Sequence, residues 1–517
     1  MSSRTDTSPA ESTMTVALKT LAMSVVGTAG LVAVHHYYRK RHQPEARIQD
    51  YATGVYTQLK RLRYANSQAV QAWQQAWILQ TPSMQSHYPD TPCTETPLSA
   101  INPNVQTLEG THPLTKENIA SVTHPQSSAV PNCRHGIKNT ELEVAWVSGV
   151  ADLTQGEFAV VGIADTQKKE IVWQTSMPER VHDIVVQPVP CNQSESIKMT
   201  SSISAQQVVV MGRRPSEHFW VLDAHTGAVV HAITASEHRH FYGHACFSLD
   251  GQYLYVTEND TVSLSGLIGV YSVAHQYQKV AEFASYGIGP HELLAHPDGD
   301  TLVIANGGIK TEKASREELN LDSMQPSLVY LSRHDGTLLE QVFPEHNQMS
   351  VRHLSIHPDG TVAIGIQFQG ERHLNYPLVL THRRGDSEFS ALNMPNGQWQ
   401  RFHHYIASVA IDAKHNLLCA SSPIGGCAVV YDLNTRQFID AIALPDCAGV
   451  AVLSATDKKD TSISTNIGGF IVTDGQGNLT QLTLQKTSQN DDEQCTWHMQ
   501  NAQARHSLAF DNHLQRL

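Results

Sequence analysis

A chain of 517 residues with a formal net charge of −13 can bury a large core but is too acidic for a nucleic-acid backbone to be its main partner. Its eight cysteines include no C-x-x-C pair, which removes support for zinc-ribbon and thioredoxin-type readings. Histidine is the unusual residue, with 29 against 36 lysines and arginines combined, and imidazole suits both transition-metal binding and titration near neutral pH.

At the N-terminus, residues 16–38 (VALKTLAMSVVGTAGLVAVHHYY) are mostly apolar and about long enough to cross a bilayer as one helix. Arg39-Lys40-Arg41 follow at once, and by the positive-inside rule they would hold the next domain in the cytoplasm. A cleaved signal would put its charges before the apolar run and small residues after it. Residues 1–43 therefore read as a membrane anchor or an uncleaved signal, with inner-membrane anchoring expected through 16–38. Residues 44–80 have helix-forming composition with little β-branching, and 81–136 are a Pro-, Ser- and Thr-rich linker.

From about 137 to 517 the chain becomes a series of short strand-like runs divided by turn signals. GQYLYVTEND, GLIGVYSV and KVAEFA follow an opening ACFSL; DTLVIANGG, SLVYLSRHDG and LLEQVF follow ELLAH. Four such runs per unit, with Asp-Gly or Asn turns, predict the blades of an all-β, seven-bladed β-propeller. RHSLAFDN at 505–512 is expected to act as a late strand that completes the first blade. Cys419 and Cys427 flank SSPIGG, where a hairpin could set them opposite each other for a disulfide.

A histidine recurs at one point of the unit. YGIGPHELLAHPDG (286–299) and MSVRHLSIHPDG (349–360) share a layout of histidine, short apolar run and His-Pro-Asp-Gly turn. His182, His244, His291 and His353 are spaced by 62, 47 and 62 residues, one blade each, and the next blade offers Ser408. The innermost strand of each blade lines the central channel, so the four imidazoles are expected to converge at one channel mouth. Such a set suits Fe, Cu, Ni or Zn, with Glu292 as an oxygen ligand or a support for a ring. A second, cationic group comprises Arg213, Arg214, Arg239, His240 and Arg352; guanidinium groups suit carboxylate or phosphate, although pairing with local acids is the commoner explanation for exposed arginines. The Asn-Gly-Gly turn in IANGGIK could shape a pocket or serve only as a turn. No nucleophile elbow, P-loop, dinucleotide fingerprint or H-E-x-x-H occurs.

RHFYGHACFSLDGQYLYVTEND, GLIGVYSV, SYGIGPHELLAHPDG, LVIANGGI, LNLDSMQPSLVYL, SVRHLSIHPDG and SSPIGG, in that order, resemble a bacterial domain-of-unknown-function family of exported propellers often encoded beside imelysin-type iron-regulated proteins. RVHDIVVQP and VMGRRP look like the first two blades of that family. The resemblance spans roughly 140–485. It implies a periplasmic location, a link to iron acquisition and imelysin-type partners, and it implies no reaction. The chain departs from the family in lacking a twin-arginine export signal and in carrying about 90 extra residues before the first blade.

Three readings follow. One is a periplasm-facing propeller that binds iron, another transition metal such as copper, or a metal chelate at a His-lined mouth, in iron acquisition. Another is a metal-free scaffold that recruits proteins of an uptake system. The third, by fold-level analogy alone, is a metal-dependent oxidoreductase.

Overall fold

The computed structural model describes residues 135–137, 139, 141–188, 206–312, 318–453, 467–488 and 495–517. The expected anchor at 16–38 and the helical and linker segments up to 134 lie outside the described residues. The 137 boundary falls inside a short strand, His135–Ile137, that adds to the outer edge of the first blade.

The described residues form seven antiparallel sheets, as the strand count predicts. Six are four-stranded meanders that begin at Val181, Arg239, Pro290, Met349, Ser408 and Cys447. The remaining sheet contains Val144–Asp152, Glu157–Ala164 and Ile171–Met177, and its inner strand is Phe510–Arg516 from the far end of the chain. The seven inner strands touch their neighbours all the way round, so the ring is closed.

Burial explains the sequence texture. Middle strands are covered on both faces by the adjacent blades, so Thr301–Asn306, Leu417–Ser422 and Cys427–Asp432 are buried at every position. That is why they read as continuous apolar runs rather than as alternation. Outer strands meet water on one side, and Gln278–Ala284 accordingly alternates. Trp146, Trp173, Trp220, Tyr255, Tyr330 and Tyr431 are among the largest fully buried side chains. The second histidine of each repeated motif acts locally, within its own turn. His296 Nδ1 and His357 Nδ1 accept the backbone N–H of Asp298 and Asp359, each at 3.2 Å.

The hairpin disulfide does not form. In the register Cys419 faces Val430 and Cys427 faces Ser422, and both thiols are free and buried. The offset places the two residues three rungs apart on the ladder.

Closure of the ring joins residues far apart in sequence. Arg180 forms a two-pronged ion pair with Asp511, both contacts at 2.6 Å, and Asn512 Nδ2 donates to the Val181 carbonyl at 2.6 Å. Phe510 and Leu514 bury their side chains in the first blade. Removing residues 509–517 should destabilise the propeller by at least ~3–6 kcal/mol, the worth of those two side chains alone. Thermal denaturation followed by circular dichroism checks this, and an unchanged midpoint would contradict closure through this strand.

Candidate functional site

The inner strands are irregular at one height. In the second blade Val181 pairs with Gly212 and Ile184 with Val210, so His182 and Asp183 stand opposite a single residue. Register shifts at the same height take in Tyr242, Gly243 and His244 in the third blade, His291 and Glu292 in the fourth, and Arg352 beside His353 in the fifth. On the closing strand such a shift takes in Asn512 and His513. A bulge breaks the in–out alternation and re-aims side chains, which is why consecutive polar residues here can turn toward the channel. In the third blade Thr257 satisfies the loosened backbone: it accepts from the His244 N–H at 3.2 Å and donates to the His244 carbonyl at 3.0 Å.

All four predicted histidines meet. Ring centroids are 4.6 Å apart for His182–His244 and His244–His291, and 4.8 Å for His291–His353. His244 and His353 lie well inside their strands rather than at the start, because those strands begin four to five residues earlier.

A fifth histidine completes the cluster. His513 lies 5.0 Å from His244 and 5.1 Å from His353, centroid to centroid. The expected closing strand carried this signal: a strand that supplies the inner position of the first blade must supply its channel residue too, and His513 directly follows RHSLAFDN. Asp183 is a second residue that sequence reasoning missed. The dipeptides His182-Asp183 and His291-Glu292 match each other, and both carboxylates do the same job.

That job is to reach forward one blade. Asp183 Oδ2 lies 3.1 Å from His244 Nδ1, and Glu292 Oε2 lies 3.1 Å from His353 Nδ1. The Glu292 contact is a hydrogen bond, whereas the Asp183 contact is an ion-pair approach only; in both rings Nε2 is buried and has no hydrogen-bond partner among the described residues. Two groups of imidazoles could share an ion: His182, His244 and His513, and His244, His291 and His353, with the ligand atoms of each group within 4.8 Å of one another. His244 belongs to both. The cluster adjoins a cavity of about 550 Å³ inside the ring, lined by Glu292, His513, Ser408 and the inner strands from the fourth blade round to the first.

Burial sets the charge states. It drives His182, His291 and His353 well below the usual imidazole range, and neighbouring positive charge on His244 adds to the effect. His513 falls to about 3, chiefly by burial and against the pull of Asp183. Burial would lower His244 as well, but Asp183 and then Glu292 outweigh it and raise this one ring. Burial lifts Glu292 to about 7, against the His244 charge and the Leu354 N–H. The cluster thus favours four neutral, lone-pair-bearing imidazoles around one that is held by a carboxylate.

The cationic group divides. Arg239 points away from the channel and is paired with Asp260 at 2.7 Å and Glu282 at 2.9 Å, so the local-acid reading applies to it. Arg213, Arg214, His240 and Arg352 stand at the end of the channel where the inner strands begin. Arg213 Nη1 donates to Asn512 Oδ1 at 2.9 Å and Arg214 Nη1 to the Tyr242 hydroxyl at 2.9 Å.

One glycine is essential to this packing. Gly243, at φ +114°, has no side chain where a Cβ would come within 2.4 Å of His182 Cδ2. Gly243→Ala should cost about 1–3 kcal/mol of stability through strain at positive φ and should displace His182 from His244. Thermal melting together with histidine side-chain NMR shifts checks it; unchanged shifts would contradict the close approach.

Fold and site define a closed seven-bladed propeller with a polyhistidine cluster in its channel. The chain belongs to the family described as protein of unknown function DUF1513, whose model matches residues 196–517. That match begins inside the second blade and takes in every cluster residue except His182 and Asp183. A search of curated proteins finds no match. Among solved structures, hydrazine synthase of Kuenenia stuttgartiensis is 14% identical, with 59% of this chain and 81% of that one covered and a TM-score of 0.40. Hsv2 of Kluyveromyces lactis is 12% identical, with 72% and 98% covered and a TM-score of 0.40. Likeness at that level says nothing about what this chain does.

Proposed function

We propose that the channel cluster binds a transition-metal ion through histidine Nε2 and Nδ1 atoms. The observation that carries this is the pair of carboxylate-held imidazoles, His244 and His353, whose Nε2 atoms are buried without partners among the described residues. Metal-bound histidines typically have their second nitrogen fixed by a carboxylate or carbonyl in this way. A buried, unpaired imidazole nitrogen otherwise costs stability and returns nothing. Two nitrogens on one ion at 2.0–2.1 Å each are at most about 4.2 Å apart, so the 4.8 Å limit of each group needs only a small inward rotation.

The donors are imidazoles. Both nearby carboxylates already hold rings, and an imidazole-only set ranks copper above iron in raw affinity. Copper or iron is the expected cargo. The periplasmic location and service to iron acquisition with imelysin-type partners belong to the same proposal and are supported by the sequence resemblance alone, while an inner-membrane attachment is supported by the apolar run at 16–38.

Elemental analysis and calorimetric titration of the full-length protein test the reading. The parent should take up Cu(II) or Fe(II) near stoichiometrically. His244→Ala, which damages both groups, should weaken uptake by at least ~100-fold, and Asp183→Asn by ~10–100-fold. A parent that takes up neither ion after loading leaves a metal-free scaffold for protein partners as the function.

A further inference from the structure

The channel end above the imidazoles carries a second, separate feature. Arg180 is matched by Asp511 and Arg239 by Asp260 and Glu282. Arg352 has no ion pair: its Nε donates to Ser350 Oγ at 2.8 Å, and no carboxylate of the described residues lies within ion-pair distance, the charge of Glu318 acting on it from farther off. It is aimed inward by the bulge that also turns His353.

Around Arg352 stand hydrogen-bonding groups and a second guanidinium, Arg214. Tyr242, whose hydroxyl takes the Arg214 guanidinium, carries His240 stacked beside it at 6.1 Å and 24°. His240 is 1% exposed, and neither ring nitrogen has a hydrogen-bond partner among the described residues. Burial, then Arg214, lowers its pKa to about 4, so the ring is neutral at neutral pH and keeps one N–H to donate. The Tyr405 hydroxyl makes no hydrogen bond to a described residue, and the Arg352 and Arg213 charges both act on it. Backbone supplies the wall. At Gly307 a Cβ would sit 2.9 Å from Ser350 Oγ and 3.5 Å from Arg352 Nε, so the Asn-Gly-Gly turn is bare where the guanidinium lies.

A guanidinium without an ion-paired acid, a phenol and an unpartnered imidazole together form a receptor for an oxyanion. The planar fork of Arg352 suits the two oxygens of a carboxylate. We propose that this mouth binds a small carboxylate anion on Arg352 and Tyr405, with His240 and Tyr242 alongside. The site does not depend on a metal in the cluster.

Isothermal titration of metal-stripped, full-length protein with succinate tests it. One saturable site is expected, weakened at least tenfold in Arg352→Met and severalfold in Tyr405→Phe, and unchanged in Arg239→Met. Arg352→Met should keep the Cu(II) uptake of the parent, which separates this site from the metal reading. Should Arg352→Met fail to fold, Tyr405→Phe carries the comparison. No saturable heat with succinate, equal affinity in folded Arg352→Met and Tyr405→Phe, or tighter binding of inorganic phosphate than of succinate would overturn the assignment.

Discussion

The bulge at the centre of the inner strands governs everything else in this molecule. A regular inner strand would send alternate residues into the blade, against middle strands that are buried on both faces. By giving the inner strand one or two residues more than its neighbour, the bulge frees a histidine and its neighbour from that alternation in five successive blades. Ring closure then turns a local irregularity into a site, because equivalent positions on a closed ring have to face one another. Neither element suffices alone: bulges on an open sheet would scatter the imidazoles, and a closed ring of regular strands would bury them in separate interfaces.

Such a centre runs against stability. Five imidazoles packed at centroid distances near 5 Å lose hydration, and all but one are pushed toward the neutral form by burial. The fold contains the cost with two carboxylates, each reaching from one blade to the histidine of the next. Asp183 holds His244 and Glu292 holds His353, so the same contacts that fix ring orientation also tie the second blade to the third and the fourth to the fifth. Polar density of this kind, enclosed by otherwise apolar blades, is where local stability rules are expected to yield to function.

The sequence made the architecture legible because blade burial imprints directly on residue pattern: continuous apolar runs in middle strands, alternation outside, and Asp-Gly turns between them. It also disclosed four of the five histidines, since their spacing equals a blade. His513 escaped because the blade it serves is split between the two ends of the described chain, so no even spacing announces it. Asp183 escaped because its partner, His244, is 61 residues away and lies in another sheet. The Cys419–Cys427 hairpin failed for the opposite reason: proximity in sequence suggested a pairing that the register places three rungs off. Side-chain direction at the arginines was not readable either, since Arg239 and Arg352 look alike in sequence and only one faces the channel.

Donor chemistry and family resemblance pull in different directions over the metal. The resemblance carries an iron context, whereas the ring nitrogens available here are those a site would offer to copper before iron. For iron to be held in preference, a carboxylate would have to leave its ring and bind the ion itself. Glu292 is the better placed of the two, because it borders the 550 Å³ cavity while Asp183 does not. Its departure would release His353 Nδ1 and loosen the ring that now depends on it. Under the proposed metal reading the cluster would trade orientation against oxygen ligation, and the ion it took up would report which of those two demands the fold has met.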